Sequence, residues 1–428
     1  MSGVLGLLRR NPAFARLWMA MAVSQAGDWL SRVAVLSLIA SLGGADALGP
    51  VGMLYGMELA LRLLPTGFMA PLAGPVADRF SRRMVMVLAD LARAAVVLCL
   101  LLVDEPSELP LLYGLVALQT GLAVFFDAAR SAALPSVVRR EDLLDAHAIS
   151  AATWSTMLAL GAFSGALVLA AVGTRGVFIA DAITFVASAA LLIGLPLAAP
   201  VENTRLSWRR VLTGRDMRDA LAHARELGIG RVLAIKSLWG MAGGFLVLLS
   251  VLGSQRFGAA ETGTMAGVEE AGLAIGTLYA ARGVGTGLGP LLARRFGGGT
   301  DRALVRAVAV GFWVAALGYG ILPWATTMTA ACLLVLVAHA GGSAIWVSST
   351  VLWQRHVSDA FRGRVHALEF LGLTLSFTFW GMSLGWLTDR TDSVDVALGV
   401  GAAAAFLTGL FWLVWSRSLF TAEGPPSG

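Results

Sequence analysis

Three pairs of opposite charge lie inside long apolar segments of this sequence. In each pair an acid precedes an arginine by three or four residues, the spacing of neighbours on one face of a helix. They are Asp28 and Arg32, Glu58 and Arg62, and Asp90 and Arg93. A charge at the centre of a bilayer costs about 2.5–3.5 kcal/mol by insertion scales, so it persists where it pairs, lines water or functions. The chemistry that suits such pairs is either proton exchange or a static ion-pair clamp. The third pair, near the inner end of its segment, is expected to be structural.

The heights of the first four charges predict a cross-helix quartet. A helix rises about 1.5 Å per residue, which places Asp28 about 16 Å and Arg32 about 22 Å above the start of the first segment. The second segment descends through a core about 30 Å thick, so Glu58 lies about 20 Å and Arg62 about 14 Å above the same face. Antiparallel packing would pair Asp28 with Arg62, and Arg32 with Glu58. The sequence leaves open whether Asp28 or Glu58 exchanges a proton or the quartet is a static clamp.

Further ionisable residues in apolar segments include Glu269, His339, Lys236 and Asp181. Glu269 is expected near the outer end of its segment, where it is solvated or attracts a cationic solute. His339 fits a core histidine with a hydrogen-bond partner, and a proton-coupled role is the alternative. Lys236, the only lysine of the chain, is expected to extend its amine to the inner face. Asp181 needs a partner that the sequence does not identify.

The elements that must position these residues are membrane helices. The chain has 428 residues, of which 57% are hydrophobic and 14% charged, whereas soluble domains carry about 25% charged residues. Segments of about 20 apolar residues cross a bilayer as helices, because lipid offers the backbone no hydrogen bonds. The segments are 14–42, 51–73, 84–103, 109–130, 146–172, 177–198, 231–253, 267–292, 303–323, 326–350, 365–388 and 395–416. We therefore predict an all-α membrane protein with twelve transmembrane helices.

The distribution of arginine predicts the orientation in the membrane. The net charge is +5, but the arginines lie in short gaps between apolar segments, which argues against a nucleic-acid-binding surface. Arginine favours cytoplasmic loops. Most arginines outside the segments fall on one side of the predicted topology, and the other side holds Arg175, Arg256 and Arg390. The sequence therefore predicts a multi-pass protein of the cytoplasmic membrane with both termini cytoplasmic.

An internal repeat divides the chain into two similar halves. The stretch "GPVADRFSRR" starts at Gly74, and "GPLLARRFGG" starts at Gly289, about half the chain length later. The longest polar loop separates the two copies, and parallel repeats of six helices are a known transporter plan. We predict an N-terminal six-helix bundle (1–198), a cytoplasmic linker (199–230) and a C-terminal six-helix bundle with a short tail (231–428). The linker is expected to be a tether, and an interfacial helix is the alternative.

The first copy of the repeat resembles the loop between helices two and three of the major facilitator superfamily. Its matching residues are Gly74, Asp78, Arg79, Arg82 and Arg83. Other stretches, such as "NPAFARLWMAMAVSQAGDWLS", "LPSVVRREDLLDAHAIS" and "FRGRVHAL", resemble the drug and macrolide efflux proteins and siderophore exporters of that superfamily. Ser81 replaces the usual second glycine of the loop, and the fifth segment lacks the Gly-Pro pair of many antiporters.

The resemblance implies a cytoplasmic gate. The aspartate of the family's loop faces the start of the eleventh helix, so Asp78 would face the segment that contains Gly363 and Arg364. The loop arginine pairs in the family with an acid low on the fourth helix. Carried over, Arg79 or Arg82 would pair with Asp127, which Arg130 follows.

These observations together predict secondary active transport by alternating access. The expected cargo is a small amphipathic molecule, exported with proton coupling by a monomer embedded in the lipid bilayer. Uptake or facilitated diffusion is one alternative, and a non-transporting membrane receptor or scaffold is another. The sequence has no Gly-Lys phosphate-binding loop and no metal-ligand spacing. We therefore expect no enzyme activity, no ATP, no cofactor, no metal and no nucleic-acid partner.

Overall fold

The computed structural model describes residues 2–43, 51–139, 142–197, 215–258, 265–296, 300–417 and 419. In these ranges helices are joined by short turns, and no β-strand occurs. The helices, numbered in chain order, are α1 Ser2–Arg10, α2 Pro12–Gly43, α3 Val51–Arg79, α4 Arg82–Cys99, α5 Leu109–Val137, α6 Leu143–Thr156, α7 Ala162–Leu192, α8 Arg215–Glu226, α9 Gly230–Leu238, α10 Met241–Val251, α11 Met265–Phe296, α12 Asp301–Ile321, α13 Met328–His356, α14 Asp359–Thr391 and α15 Val394–Trp415. A π-helical turn, Met157–Gly161, joins α6 to α7, and another, Leu252–Phe257, extends α10.

Hydroxyl and amide side chains cap the starts of several helices. Asn11 precedes α2, and its side-chain oxygen accepts a hydrogen bond from the Phe14 amide at 3.0 Å. Thr300, Thr327 and Ser393 do the same for α12, α13 and α15. Such caps satisfy backbone donors that have no partner within the helix, so the polar residue before each apolar run sets where the helix begins.

Eight helical segments among the described residues are long and apolar enough to cross a membrane. One of them, Asp145–Leu192, has 48 residues and a length of about 72 Å, more than twice the thickness of a hydrocarbon core. The backbone of Gly173 interrupts it with φ of 68° and ψ of 176°. A side chain would strain this conformation, so glycine allows the chain to turn here.

The chain divides into two compact units, and the first comprises Met1–Thr213 and Leu252–Ala280. In this unit α2 packs mainly on α7, α3 packs mainly on α5, and α4 packs on both α5 and α7. Glycine permits the closest approach, because a Cβ added to Gly165 of α7 would lie 3.0 Å from the Leu30 Cα of α2. The unit includes residues 252–280, which the predicted halves assign to the C-terminal bundle.

The second unit comprises Gly214–Val251 and Ala281–Gly428. In it α12 packs on α13 and α15, and α10 packs on α14. Part of the predicted linker is the helix α8, which packs on α14 and stacks His223 on Phe361 with ring centroids 4.0 Å apart. Residues 215–226 of the predicted linker are thus helical, and residues 199–214 lie outside the described part of the chain.

Candidate functional site

A buried arginine forms the centre of a charged cluster in the first unit. The Arg93 side chain is 2% exposed, and its Nη2 donates to both carboxylate oxygens of Asp28 at 2.5 Å. Its Nη1 donates to Ser24 at 3.0 Å and to Asp90 at 3.3 Å. The guanidinium also lies 4.1 Å from the centroid of the Phe185 ring. Arg93 therefore ties α4 to α2 and α7.

Helical spacing brings the polar side chains of α2 to this arginine. Ser24, Asp28 and Ser31 follow one another at intervals of four and three residues, so they share one face of α2. Within α4, Asp90 precedes Arg93 by three residues and is fully buried. Gln119 of α5 donates to Asp28 at 3.4 Å. Two helices, α4 and α5, thus present hydrogen-bond donors to the Asp28 carboxylate of α2.

The third acid of the cluster is Asp181 of α7, which is also fully buried. Its carboxylate accepts hydrogen bonds from Ser31 and from Thr184, the latter at 3.3 Å. It also interacts electrostatically with Asp28 and Arg93. A side chain at position 27 would collide with Asp181 and Thr184, so Gly27 allows α7 to come this close. The partner that the sequence left unidentified for Asp181 is therefore α2.

The cluster holds more acids than cations. Three carboxylates surround one guanidinium, and a buried charge without a counter-charge costs several kcal/mol. Adding a proton to one carboxylate reduces the uncompensated charge. The Asp28 side chain is 33% exposed while Arg93 is 2% exposed, so Asp28 is the acid that water or a solute can reach.

The predicted quartet is wrong. Glu58 forms an ion pair with Arg62 of its own helix at 2.5 Å, and Asp28 pairs with Arg93 of α4. Arg32 lies between two aromatic rings, 5.5 Å from the Trp29 centroid and 5.4 Å from that of Tyr279. The reason is packing, because α2 lies mainly against α7 rather than against its sequence neighbour α3.

A second buried ion pair lies in the second unit. Lys236 of α9 and Glu369 of α14 are 2% and 0% exposed, and their Nζ and Oε2 atoms lie 2.8 Å apart. The ammonium also donates to Thr350 at 2.9 Å and lies 4.5 Å from the Trp346 ring. Glu369 accepts a further bond from the Trp353 indole at 3.1 Å. The prediction that Lys236 extends to the inner face is therefore wrong.

Sequence reasoning missed the importance of both Arg93 and Lys236, although a signal was present for each. The position of Arg93 near the end of its segment predicts only a structural role. Gln119, a polar residue in the middle of another apolar segment, indicates a polar interior at that level. For Lys236 the signal is its rarity, because it is the only lysine and all the other Lys/Arg positions of the chain are arginine.

The remaining interior candidates have separate surroundings. His339 is buried, and its Nε2 lies 2.6 Å from the Tyr319 hydroxyl. Tyr319 in turn stacks on Phe245 with centroids 3.6 Å apart. This is the core histidine with a hydrogen-bond partner that the sequence favoured. Glu269 is half-buried near the start of α11.

The N-terminal residues of the predicted gate lie at the end of α3 and the start of α4. Gly74 is half-buried, and a Cβ added there would meet no atom within 4 Å. The side chain of Asp78 lies outside the described residues. Arg79 is exposed and Arg82 half-buried, while Arg83 donates to the Leu195 carbonyl at 3.4 Å.

The other predicted gate residues make local contacts. Asp127 pairs with Arg130 one turn along α5 at 3.3 Å, rather than with Arg79 or Arg82 as predicted. The two residues share a helix face, and Asp127 is 59% exposed. Gly363 is exposed in the second turn of α14, and the Arg364 guanidinium lies 5.3 Å from the Phe361 ring.

Similar proteins come from several bacteria. The chain is 25% identical over 240 residues to the protein named uncharacterized MFS-type transporter YkuC of Bacillus subtilis, covering 56% of this chain and 54% of that one. A second Bacillus subtilis relative, YfiS, is 28% identical over 51% of its length, so the chain spans about half the length of these two relatives. The uncharacterized MFS-type transporter Rv0037c of Mycobacterium tuberculosis is 29% identical over 384 residues, covering 85% and 82% of the two chains.

Solved structures share the fold at low sequence identity. The nucleoside transporter NupG aligns with a TM-score of 0.66 and 15% identity over 94% of this chain and 99% of that one. A POT family transporter in complex with 5-aminolevulinic acid aligns with a TM-score of 0.71 and 13% identity over 96% and 97%. The family model described as Major Facilitator Superfamily matches residues 17–371. A match over so much of an all-helical, multi-pass membrane chain identifies it: the protein belongs to the major facilitator superfamily.

Proposed function

We propose that this protein is a proton-coupled secondary transporter that exports small amphipathic molecules by alternating access. The observation that carries the proposal is the cluster of Asp28, Asp90 and Asp181 around the single guanidinium of Arg93. A transporter driven by a proton gradient needs an acid that gains and loses a proton during its cycle. A buried cluster with more acids than cations, and with one acid within reach of water, meets that need.

Twelve crossings account best for the helices. The described residues contain eight candidate spans, and the 48-residue segment broken at Gly173 is long enough for two crossings. The helices α2, α3 and α11 have 32, 29 and 32 residues, which is long enough to cross at about 1.5 Å per residue. Their interior charges make them less apolar than the other spans. We infer six crossings before and six after the linker, with the loops rich in arginine in the cytoplasm.

Asp28 is the proposed coupling residue, and Arg93 is its switchable partner. When Asp28 is ionised, its bidentate bond with Arg93 holds α2 to α4. When Asp28 is protonated, the charge-assisted bond weakens, and Arg93 keeps Asp90 as its counter-charge. The change alters the packing of α2 in a way that depends on the proton. The loop of Gly74, Asp78 and Arg83 is proposed as the cytoplasmic gate.

Transport assays in proteoliposomes test the proposal. The purified protein is reconstituted with a pH-sensitive dye inside, and cationic dyes, macrolides and siderophores are added in turn. We expect at least one amphipathic compound to cause proton movement that requires the protein. Asp28→Asn should abolish proton movement, while Asp104→Asn, which changes an exposed acid paired with Arg175, should retain it. Solute movement at the same rate in Asp28→Asn, with no proton movement in either protein, would refute proton coupling.

A further inference from the structure

The guanidinium of Arg32, inside α2, has no counter-charge from the part of the chain that the structure describes. The side chain is half-buried, and it makes no ion pair and no hydrogen bond with the described residues. Its Nε atom is buried without a partner. The acid of the same helix, Asp28, accepts from Arg93 with both of its carboxylate oxygens. Arg32 therefore keeps its full positive charge, which is available to an anion.

Two aromatic rings hold this guanidinium in place. Its central carbon lies 5.5 Å from the centroid of the Trp29 ring and 5.4 Å from that of Tyr279, within the range of about 6 Å for attraction between a cation and a ring face. A ring attracts the cation but does not neutralise it, and it accepts only weak hydrogen bonds from N–H groups. The two rings therefore orient the guanidinium and leave its strong donors unused.

Close packing of helices brings the second ring to Arg32 from a distant part of the chain. Tyr279 belongs to α11 and lies one turn after Gly276. A Cβ added to Gly276 would lie 2.8 Å from the carbonyl oxygen of Ala162 in α7, so glycine allows α11 to approach α7, on which α2 packs. The ring contact is therefore a consequence of the packing within the first unit.

A second polar group without a partner lies on the same face of α2. Gln25 precedes Trp29 by four residues and Arg32 by seven, which is the spacing of one helix face. The Gln25 side chain makes no hydrogen bond with the described residues, and its Oε1 is buried. The π-helical turn Met157–Gly161 packs on this face, because a Cβ added to Gly161 would lie 2.8 Å from the Trp29 Cβ. Such turns are frequent at functional sites.

The position of Arg32 favours a solute over a lipid headgroup as the source of the anion. Arg32 lies 11 residues before the end of α2 at Gly43, about 16 Å along the helix axis, whereas lipid phosphates lie outside the hydrocarbon core. Tyr279 beside it is 2% exposed, so protein encloses the guanidinium on that side. The interior arginines of α3 and α4, Arg62 and Arg93, are already paired with acids. One free guanidinium balances one negative charge, so a monoanion fits better than a phosphate dianion.

We propose that Arg32 binds the carboxylate of an amphipathic solute and that Trp29, which is half-buried, offers an apolar surface to the hydrocarbon part of that solute. The planar fork of a guanidinium matches a carboxylate through two parallel hydrogen bonds. The inference rests on the proposed transport function, and it narrows the class of solute to amphipathic monocarboxylates.

Binding of matched acids and amides to the purified full-length protein tests this assignment. The protein is held in phosphatidylcholine nanodiscs, which contain no anionic lipid. Isothermal titration calorimetry measures the Kd of phenylalkyl carboxylates, from phenylacetate to phenylhexanoate, and of the corresponding neutral primary amides, with empty nanodiscs as the blank. We expect at least one acid to bind about tenfold more tightly than its amide, because only the acid forms a charge-assisted pair. Arg32→Gln should remove this preference and leave the binding of the amide unchanged.

The matched control is Arg175→Gln, which removes an exposed arginine paired with Asp104 and should keep the preference for the acid. Equal binding of acids and amides to the unmodified protein, or a preference that survives in Arg32→Gln, overturns the proposal and makes Arg32 a static clamp between two rings. If Arg32→Gln does not fold, Arg32→Lys gives the test, because lysine keeps the charge but not the bidentate fork, and the preference should fall. Binding in nanodiscs needs no proton gradient, so failure of this site and failure of proton coupling are separate results.

Discussion

Replacing Glu369 by glutamine isolates the energetic role of the buried pair in the second unit. The change keeps the size of the side chain and an oxygen for the Trp353 indole, but it removes the counter-charge of Lys236. The ammonium then retains a hydroxyl at 2.9 Å and an aromatic ring at 4.5 Å. Breaking a buried pair on one side costs about 3–5 kcal/mol, since it leaves an uncompensated charge. We expect Lys236→Met to cost a similar amount, because it leaves the carboxylate alone.

The double variant distinguishes the ion pair from general packing. Removing both charges leaves only polar groups with fewer partners, a cost of about 1–3 kcal/mol. The coupling energy between the two changes should therefore be about 3 kcal/mol or more. Unfolding by sodium dodecyl sulfate in mixed micelles, followed by tryptophan fluorescence, measures all three variants. Single-variant costs that add to within about 0.5 kcal/mol would refute the pair as a buried electrostatic unit.

Three further predictions use the same unfolding assay. Gly173→Ala should destabilise by about 1–3 kcal/mol, because alanine does not readily adopt a φ of 68°. Tyr319→Phe should cost about 1–3 kcal/mol by leaving His339 without its hydroxyl partner, with no change in the pH profile of transport. Asp104→Asn should lower the free energy of unfolding by less than about 1 kcal/mol, since both side chains of its ion pair with Arg175 are exposed.

The positions of the helices follow closely from the sequence, because lipid requires long apolar runs to be helical. The predicted segment 395–416 corresponds to Val394–Trp415, and 303–323 corresponds to Asp301–Ile321. The predicted segment ends are wrong where a helix continues into more polar residues. The predicted fourth segment ends at residue 130, whereas α5 continues through Pro135 to Val137. Apolarity marks where lipid ends, whereas a helix continues as long as its backbone bonds are satisfied.

The pairing of charges could not be predicted from height alone. Depth along a helix places Asp28 and Arg62 at one level, but it does not tell which helices are neighbours. Small residues such as Gly27 and Gly165 determine which helix packs against α2, because they let α7 approach closely. That approach turns the face of α2 that carries Asp28 and Ser31 towards Arg93 and Asp181. Which charges pair in this cluster therefore depends on contacts between helices that are distant in sequence.

The two buried pairs differ in the one property that matters for proton coupling. Arginine stays protonated at any physiological pH, so in the first unit only the carboxylates can exchange a proton, and Arg93 acts as a fixed charge. Lysine, unlike arginine, can lose its proton when it is buried. Lys236 is the single lysine of the chain, and all its other Lys/Arg positions are arginine. An arginine at position 236 would keep its charge permanently. We predict that Lys236→Arg, which preserves the positive charge, has its main effect on the pH profile of transport and a smaller effect on the free energy of unfolding. A pH profile that matches that of the unmodified protein would show that the second pair is static.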